Sequence, residues 1–260
     1  MRRIHFIVLL LTIGLYSCME KGNNYKSFDD YPVDKQAGLW INYNQEFTEF
    51  ALWSPTASEL RVNLYEKGNG GEAYEKVSLK RGDAGIWTAR VNKDLDGVYY
   101  TYQVKIVDEW LDETPGIYAQ AVGVNGKRAM VLNLKNTNPE NWQNDKGPIV
   151  EKPNEAVIYE LHVRDITSHP NSGSSFPGKY QGLTETGTHG PNGVKTGIDH
   201  IKELGITHVH LLPVFDHQSI DESKPDSSQF NWGYDPQNYN VPEGSYSGNP
   251  FNAAVRIQEF

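Results

Sequence analysis

The sequence predicts a multidomain protein in which a β-sandwich precedes an incomplete α/β barrel of the TIM type. Short segments rich in β-branched and aromatic residues follow one another across residues 36–135, separated by Gly, Pro, Asn and Asp. Residues 155–260 contain a strand pattern, a helix pattern and a second strand pattern, which is the order of a parallel sheet. The stretch between them, residues 136–154, is polar and proline-punctuated and predicts a linker.

The composition is that of an ordinary globular protein. The chain has 260 residues, of which 38% are hydrophobic and 22% are charged. This length accommodates one large domain or two ordinary ones. The formal net charge is −9, and no run of Lys or Arg provides a basic track. Nucleic acid is therefore not an expected partner.

Residues 1–18 are predicted to be a signal peptide. Arg2 and Arg3 precede an apolar run at residues 4–15, which is too short to cross a bilayer and is typical of a secretory signal. Cys18 follows as the only cysteine, so it has no partner for an internal disulfide. Its surroundings resemble a bacterial lipoprotein cleavage site, which implies that Cys18 carries a lipid; a plain secretory peptide is the alternative. Residues 19–35 are polar and predict a tether.

These features predict an exported protein. With a lipid on Cys18 it is a bacterial membrane lipoprotein, periplasmic or on the cell surface, and the lipid is its only contact with the membrane. Without that lipid it is secreted.

The sandwich prediction rests on strands that alternate between apolar and polar residues. We expect the strands at residues 47–53, 60–65, 73–79, 86–91 and 98–107. Several such strands within a hundred residues favour a sandwich. Trp40, Trp53 and Trp87 are expected to lie in its core first and to form a sugar platform only second.

Two motifs identify the kind of sandwich. WSPTA at residues 53–57 and GVYYTY at residues 97–102 resemble the immunoglobulin-like early-set module that precedes the catalytic barrel in starch debranching enzymes and is related to glycogen-binding domains. Residues 118–131 are similar to the segment that joins this module to the barrel in that family. The resemblance implies a glycan-binding type of module that often packs on the barrel.

Residues 155–260 are predicted to form the first part of a barrel, which is the second domain. Strands are expected at residues 156–163 and 206–215, with a helix at residues 197–205 between them. Ile198, Ile201 and Leu204 share one face of this helix, and Gly205 suits its C-cap. A last helix is expected to open at Asn249 and Pro250 and to bury Phe251, Ala254 and Val255.

The long loop after the second strand contains FNWGYDP at residues 230–236, which we call the aromatic loop. An aromatic ring covers the apolar face of a pyranose, and a carboxylate beside it accepts hydrogen bonds from sugar hydroxyls. In barrels, loops at the carboxyl ends of strands carry the function. The alternative is a surface turn whose aromatic residues pack on their own loop.

Three segments together resemble the debranching branch of the α-amylase superfamily: VIYELHVRD at residues 157–165, HLLPVFD at residues 210–216 and the aromatic loop. The last is similar to the signature of type I pullulanases, with Phe230 where Tyr is usual. The resemblance implies hydrolysis of α-1,6-glucosidic branches in pullulan and starch-derived dextrins. It implies that Tyr234 stacks on the sugar at the cleavage subsite, Asp235 holds its hydroxyls and Trp232 supports the loop.

Glycoside cleavage with retention requires two carboxylates about 5 Å apart. In the resembled family both are carried by later barrel strands. We therefore expect no catalytic residue among these 260; the nucleophile and the acid/base would lie beyond Phe260. The chain is expected to be an inactive N-terminal part of a pullulanase. Glu160 and Asp165 are not predicted to act as an acid and base pair.

Other classes of function remain open from the sequence. His208 and His210 could ligate a metal in an amidohydrolase barrel, but they lie in the first half of their strand, away from its functional end. A non-catalytic surface lipoprotein that binds α-glucan through the sandwich is a second alternative. Part of an isoamylase or glycogen-branching enzyme is a third. Some relatives bind calcium, but no acidic cluster here has suitable ligand spacing, so no cofactor is predicted.

Overall fold

A computed structural model describes residues 25–147, 149–224 and 229–260. The predicted signal peptide and the predicted lipidation site, Cys18, lie outside these residues. No helix in the described ranges combines the length and hydropathy needed to cross a bilayer.

The first half of the chain is a β-rich, sandwich-like domain made of two antiparallel sheets. One sheet has the order β1-β2-β6-β5, and the other has the order β4-β3-β7-β8 with β9 also paired to β7. The strands are β1 (Asn42–Tyr43), β2 (Thr48–Trp53), β3 (Glu59–Tyr65), β4 (Glu75–Ser78), β5 (Lys80–Arg81), β6 (Ile86–Val91), β7 (Tyr99–Ile106), β8 (Glu109–Trp110) and β9 (Ala129–Met130).

The core of this domain lies between the two sheets. Phe50 of β2 is fully buried, and its ring meets Tyr100 and Tyr102 of β7 edge-on, at centroid distances of 5.3 and 6.4 Å. Edge-to-face contacts of this kind stabilise beyond the burial of apolar area. The buried aliphatic members of the core include Leu60, Val62, Leu64, Leu79, Val91, Leu95, Val122 and Val131.

The prediction for the tryptophans is correct at one position and wrong at another. Trp87 is buried, and its Nε1 donates to the Ser54 carbonyl at 2.9 Å. Trp53 is partly buried and donates to the Pro32 carbonyl, which belongs to the predicted tether. Trp40 is 44% exposed, so its assignment to the core is wrong. It precedes β1, and its ring forms an edge-type pair with the ring of Tyr118, at a centroid distance of 5.1 Å.

Two strands of the sandwich-like domain are shorter than the sequence predicts. The strand expected at residues 73–79 is shorter, as β4 covers Glu75–Ser78, and the strand expected at residues 98–107 covers Tyr99–Ile106. The C-terminal shift has a local cause, because Val107 has a φ of +56°, outside the range of a strand.

A turn at Val124–Gly126, which we call the connector turn, precedes β9, the last strand of the sandwich-like domain. It is held against the domain by a close approach of two glycines, since a Cβ added to Gly123 would lie only 2.6 Å from the Cα of Gly68. Just after the turn, β9 adds to β7 with Tyr99 opposite Met130. Asn125 has a φ of +63°, a conformation that Asn tolerates better than most residues.

The second half of the chain contains a parallel strand pair, an antiparallel strand pair and short helices. In the parallel pair, Ile158 lies opposite His208 and Leu161 opposite Leu211. The elements are β10 (Ile158–Leu161), α1 (Asp165–Ser168), α2 (Tyr180–Thr184), α3 (Gly197–Glu203), β11 (His208–Leu211), β12 (Phe215–His217), β13 (Pro236–Pro242) and α4 (Ala253–Glu259).

The helix between the parallel strands forms as predicted, with a narrower buried face. Ile201 is buried, whereas Leu204, which follows the last helical residue, is exposed. Gly205 has a φ of +73°, the left-handed conformation expected after a helix. The strands β10 and β11 are largely exposed, although their apolar character predicts burial. A barrel is not established by this two-stranded pair and stays a prediction.

The strand expected at residues 206–215 is wrong in its length. It is divided into β11 and β12, and β12 pairs with β13 instead of continuing beside β10. Pro213 lies at the division and has no N–H to donate to a ladder.

The predicted start of the last helix is also wrong. Asn252 is the N-cap, and its side chain accepts from Ala254 N at 3.0 Å. Phe251 is exposed, and the buried residues of α4 are Ala253 and Arg256. Both Asn249 and Asn252 are good capping residues, which is why the sequence alone did not separate them.

Candidate functional site

The aromatic loop lies over the carboxyl ends of the two parallel strands. His162 comes directly after β10, and its Nε2 is 2.9 Å from the Asn231 carbonyl oxygen. Pro213 comes two residues after β11, and a Cβ added to Gly233 would lie 2.8 Å from the Pro213 carbonyl oxygen. The loop therefore rests on both strand ends, at the edge where parallel α/β sheets bind their ligands.

Asn231 organises the loop from within. Its Oδ1 accepts from Gly233 N at 2.8 Å, and its Nδ2 donates to Asp235 Oδ1 at 2.6 Å. Gly233 has a φ of +87°, so it combines a left-handed backbone with the close approach to Pro213. Few residues other than glycine satisfy both conditions.

Asp235 is held as an ionised acceptor. Its carboxylate accepts from the Ser219 hydroxyl, from Ser219 N at 3.1 Å and from the Asn231 amide. Burial raises the pKa of the Asp235 carboxyl, but the hydrogen bonds from Ser219 and Asn231 outweigh this and leave it below its usual range. Each carboxylate oxygen has more than one lone pair, so these bonds leave capacity for a ligand hydroxyl.

The two large aromatic residues beside Asp235 face solvent. Trp232 is 63% exposed and Tyr234 is 68% exposed. The ring of Phe230 lies between His162 and Trp232, at centroid distances of 5.3 and 6.5 Å. The loop thus presents two flat apolar faces next to a fixed carboxylate, the combination that suits a sugar ring.

His162 is buried beneath the loop. Its Nε2 lies 3.0 Å from the Tyr246 hydroxyl as well as close to the Asn231 carbonyl. Its Nδ1 is 3.7 Å from Asp165. His162 is therefore a hydrogen-bonded support of the loop.

A buried group of charges below the loop was not found from the sequence. The carboxylates of Asp216, Glu222 and Glu243 place oxygen atoms within 4.8 Å of one another. Arg256 of α4 forms ion pairs with Asp216 at 3.3 Å and with Glu222 at 3.0 Å. His217 Nδ1 is 3.4 Å from Glu243. Asp216, His217 and Glu222 are close in the sequence, but Glu243 and Arg256 come 21 and 34 residues after Glu222, so no spacing motif could reveal the group.

This environment alters the acidity of two carboxyl groups. Burial, reinforced by Glu222, raises the pKa of Asp216 to about 8. Burial and the neighbouring Glu222 also raise the pKa of Glu243. Three carboxyl groups share the buried space mainly with one guanidinium, so protonation relieves part of their repulsion. The guanidinium of Arg256 already supplies a cation to this cluster.

The histidines that suggested a metal site are exposed. His210 Nδ1 is 3.1 Å from Glu160 Oε2 across the strand pair, and His208 Nδ1 is 2.8 Å from the Thr207 hydroxyl. They do not pack inside the sheet, since β11 is largely exposed. Among the described residues, the group with metal-ligand geometry is the cluster of Asp216, Glu222 and Glu243. The amidohydrolase alternative gains no support from this geometry.

Comparisons with known proteins agree with this architecture. Residues 38–116 match the family of carbohydrate-binding module 48, the isoamylase N-terminal domain. A pullulanase of Bacillus subtilis is 36% identical over 262 aligned residues, which cover 96% of this chain and 35% of that protein. Pullulanase 1 of Arabidopsis thaliana, a chloroplast protein, is 28% identical over an alignment that covers 85% of this chain and 26% of that protein.

Solved structures give the same result. The pullulanase of Paenibacillus barengoltzii in complex with maltohexaose and α-cyclodextrin has a TM-score of 0.85 and 52% identity, covering 89% of this chain and 36% of that one. A pullulanase of an Anoxybacillus species in complex with maltotriose has a TM-score of 0.82 and 39% identity. The match covers 91% of this chain and 33% of that one. The chain spans about a third of the length of these relatives.

The module and the fold define the N-terminal region of a glycoside hydrolase. The family predicted from the sequence motifs is confirmed by the relatives. The chain belongs to the type I pullulanases and corresponds to their N-terminal region.

Proposed function

We propose that the protein containing these residues hydrolyses α-1,6-glucosidic branch linkages in pullulan and starch-derived dextrins. The observation that carries the proposal is the aromatic loop, which holds the Asp235 carboxylate beside the exposed rings of Trp232 and Tyr234 over the ends of the parallel strands. The pullulanase relatives solved with maltohexaose and maltotriose support an α-glucan as the ligand.

In this proposal each residue of the loop has one role. Tyr234 stacks on the glucose ring at the cleavage subsite, and Asp235 accepts hydrogen bonds from its hydroxyls. Trp232 supports the loop, and its ring meets that of Phe230 edge-on at 6.5 Å. Asn231 fixes the spacing between the rings and the carboxylate, since it bonds to both Gly233 and Asp235.

The strand pair β10 and β11 with α3 between them is, in this proposal, the first unit of the catalytic barrel. The nucleophile and the acid/base of a retaining mechanism are assigned to residues outside this chain. The chain therefore contributes substrate binding and the carbohydrate-binding module, and no bond-breaking group.

Binding to pullulan in a native affinity gel tests the role of the loop. The 260-residue chain is expected to be retarded, and Tyr234→Ala and Asp235→Ala are expected to weaken retardation by about 2- to 10-fold, the range of one stacking contact or one hydrogen bond. Tyr239→Ala is the matched control, because Tyr239 is 69% exposed but lies in β13. Equal retardation of all four proteins would contradict the proposal.

Export and lipid attachment are a separate proposal. We propose that Cys18 receives the lipid that holds the protein at a bacterial membrane, because an unpaired cysteine directly follows a signal-like sequence. Radiolabelled palmitate should enter the wild-type protein expressed in bacteria and should be absent from Cys18→Ala. Labelling of that variant would overturn the assignment.

A further inference from the structure

The connector turn contacts the chain on both sides of the aromatic loop. Before the loop, Asn125 N donates to Glu222 Oε2 at 2.6 Å, and Glu222 N donates back to Asn125 Oδ1 at 2.8 Å. Asn125 Nδ2 also donates to Asp221 Oδ1 at 3.1 Å. One side chain of the sandwich-like domain thus satisfies backbone and carboxylate groups of the segment that leads to the loop.

After the loop, the carbonyl groups of the same turn are the acceptors. Gly126 O accepts from Gln237 Nε2 at 3.0 Å and from Asn238 Nδ2 at 3.1 Å. Asn238 Nδ2 also donates to Asp216 Oδ2 at 2.7 Å. These hydrogen bonds connect the first residues of β13 to the sandwich-like domain.

Short contacts continue from these anchors to the proposed sugar-binding carboxylate. Ser219, two residues before Asp221, donates to Asp235 through both its N–H and its hydroxyl. Gln218 N donates to the Asp235 carbonyl at 3.2 Å. Asp235 is the residue directly before β13. Movement of either anchored segment would therefore move Asp235.

Both ends of this anchor make further contacts. Glu222 is buried, and its carboxylate also accepts from Gly244 N at 3.0 Å and pairs with Arg256. In the sandwich-like domain, the connector turn packs closely on the chain at Gly68 through Gly123. Asn125 thus links two parts of the structure that are each held by other contacts.

We infer that Asn125 is a positioning residue through which the sandwich-like domain holds the aromatic loop in its sugar-binding shape. The inference rests on the proposed function for the meaning of that shape, and on the contacts of Asn125 for the coupling. A loop held in advance loses less conformational entropy when a ligand binds. The sandwich-like domain therefore assists binding at a site that it does not itself form, through a turn that follows the residues matched to the carbohydrate-binding module.

The variants separate the side chain of Asn125 from its backbone. Asn125→Gly removes the side-chain bonds but tolerates the φ of +63°. Asn125→Asp keeps the acceptor for Glu222 N but faces Asp221 with a second carboxylate. Asn125→Asp with Asp221→Asn exchanges the donor and the acceptor and restores the charge. Asn192→Gly is the matched control, since Asn192 also has a φ of +63° but lies in an exposed turn.

Amide hydrogen exchange of the 260-residue chain is the measurement. In Asn125→Gly and Asn125→Asp, the amides of residues 216–222 and 229–238 should exchange about tenfold faster, which corresponds to the loss of one or two hydrogen bonds. The strands β3 and β7 and the control variant should exchange as in the wild type. The double variant should return the loop to near wild-type exchange.

Three results would overturn the inference: unchanged exchange of the loop in both single variants, equal acceleration in β3 and β7, or a double variant as fast as Asn125→Asp. Pullulan retardation, measured in parallel, tests the proposed function separately. If the wild type is not retarded but the exchange pattern is as expected, the positioning role stands and the sugar-binding role fails. If Tyr234→Ala weakens retardation but the Asn125 variants do not change the exchange of the loop, the sugar-binding role stands and the positioning role fails.

Discussion

The guanidinium of Arg256 lies 3.3 Å from the carboxylate of Asp216, and these side chains are 0% and 1% exposed. The pair joins α4 to β12. It is not isolated, because Glu222 and Glu243 lie beside Asp216 and His217 lies beside Glu243. A single guanidinium cannot balance three ionised carboxylates, so the protonation of this cluster depends on pH.

The cluster predicts that stability falls as the pH rises. Burial, with the charge of Glu222, raises the pKa of Asp216 to about 8, above its ordinary value of 3.8. The folded state therefore holds a proton that the unfolded state releases. The contribution of this proton to the free energy of unfolding is complete below about pH 4 and is lost as the pH rises through about 8.

Asp216→Asn tests this dependence, because an amide cannot ionise. The loss of unfolding free energy between about pH 5 and pH 8, measured by urea denaturation, should be smaller in the variant than in the wild type. The exposed Asp112→Asn serves as the control and should retain the wild-type slope. Identical slopes for all three proteins would show that Asp216 does not carry the pH dependence.

Phe50 should be among the most sensitive positions of the sandwich-like domain. Phe50→Ala leaves a cavity between the sheets and removes the edge contacts with Tyr100 and Tyr102, so it should lower the free energy of unfolding by about 3–5 kcal/mol. Phe28→Ala, at an exposed phenylalanine, should change it by less than about 0.5 kcal/mol. Denaturant unfolding followed by circular dichroism measures both, and similar losses would contradict the assigned core.

Gly233→Ala should displace the aromatic loop. The new methyl group would meet the Pro213 carbonyl in a backbone whose left-handed form alone costs about 1–2 kcal/mol. Gly187→Ala has a similar φ of +77° but open space around it, so it carries the conformational cost without the clash. Hydrogen exchange of residues 229–236 should rise in the first variant and stay unchanged in the second. No rise in Gly233→Ala would argue against the contact with Pro213.

The exposed pair of His210 and Glu160 should contribute little. His210→Ala should change the free energy of unfolding by less than about 0.5 kcal/mol, because solvent screens an exposed ion pair. Addition of Zn²⁺ should not raise the melting temperature of the wild type. A Zn²⁺-dependent increase that His210→Ala abolishes would instead revive the metal-site alternative.

The sequence predicted those features whose chemistry is local. Alternating residues located most strands of the sandwich-like domain, and Gly205 marked the end of α3. The motif at residues 230–236 identified the family, and the loop lies over the strand ends where the prediction placed it. The roles of Trp232, Tyr234 and Asp235 in sugar binding stay predictions.

The features that the sequence did not predict depend on contacts between distant segments. Trp40 is apolar like the other tryptophans, yet its position before β1 leaves it on the surface. Arg256 resembles a solvent-facing residue of a short helix, but it is fully buried because Asp216 and Glu222 converge on it from other segments. Such convergence cannot be read from spacing along the chain.

The close approach of Gly68 and Gly123 has a consequence for how far the connector turn can shift against the sandwich-like domain. With no side chain between the backbones, there is no rotamer whose rearrangement could absorb a small shift of the connector turn. A methyl group at either position would overlap the Cα of the other glycine, so the turn would have to move away from the sandwich-like domain. The spacing between the connector turn and the loop that joins β3 to β4 is therefore set by backbone atoms.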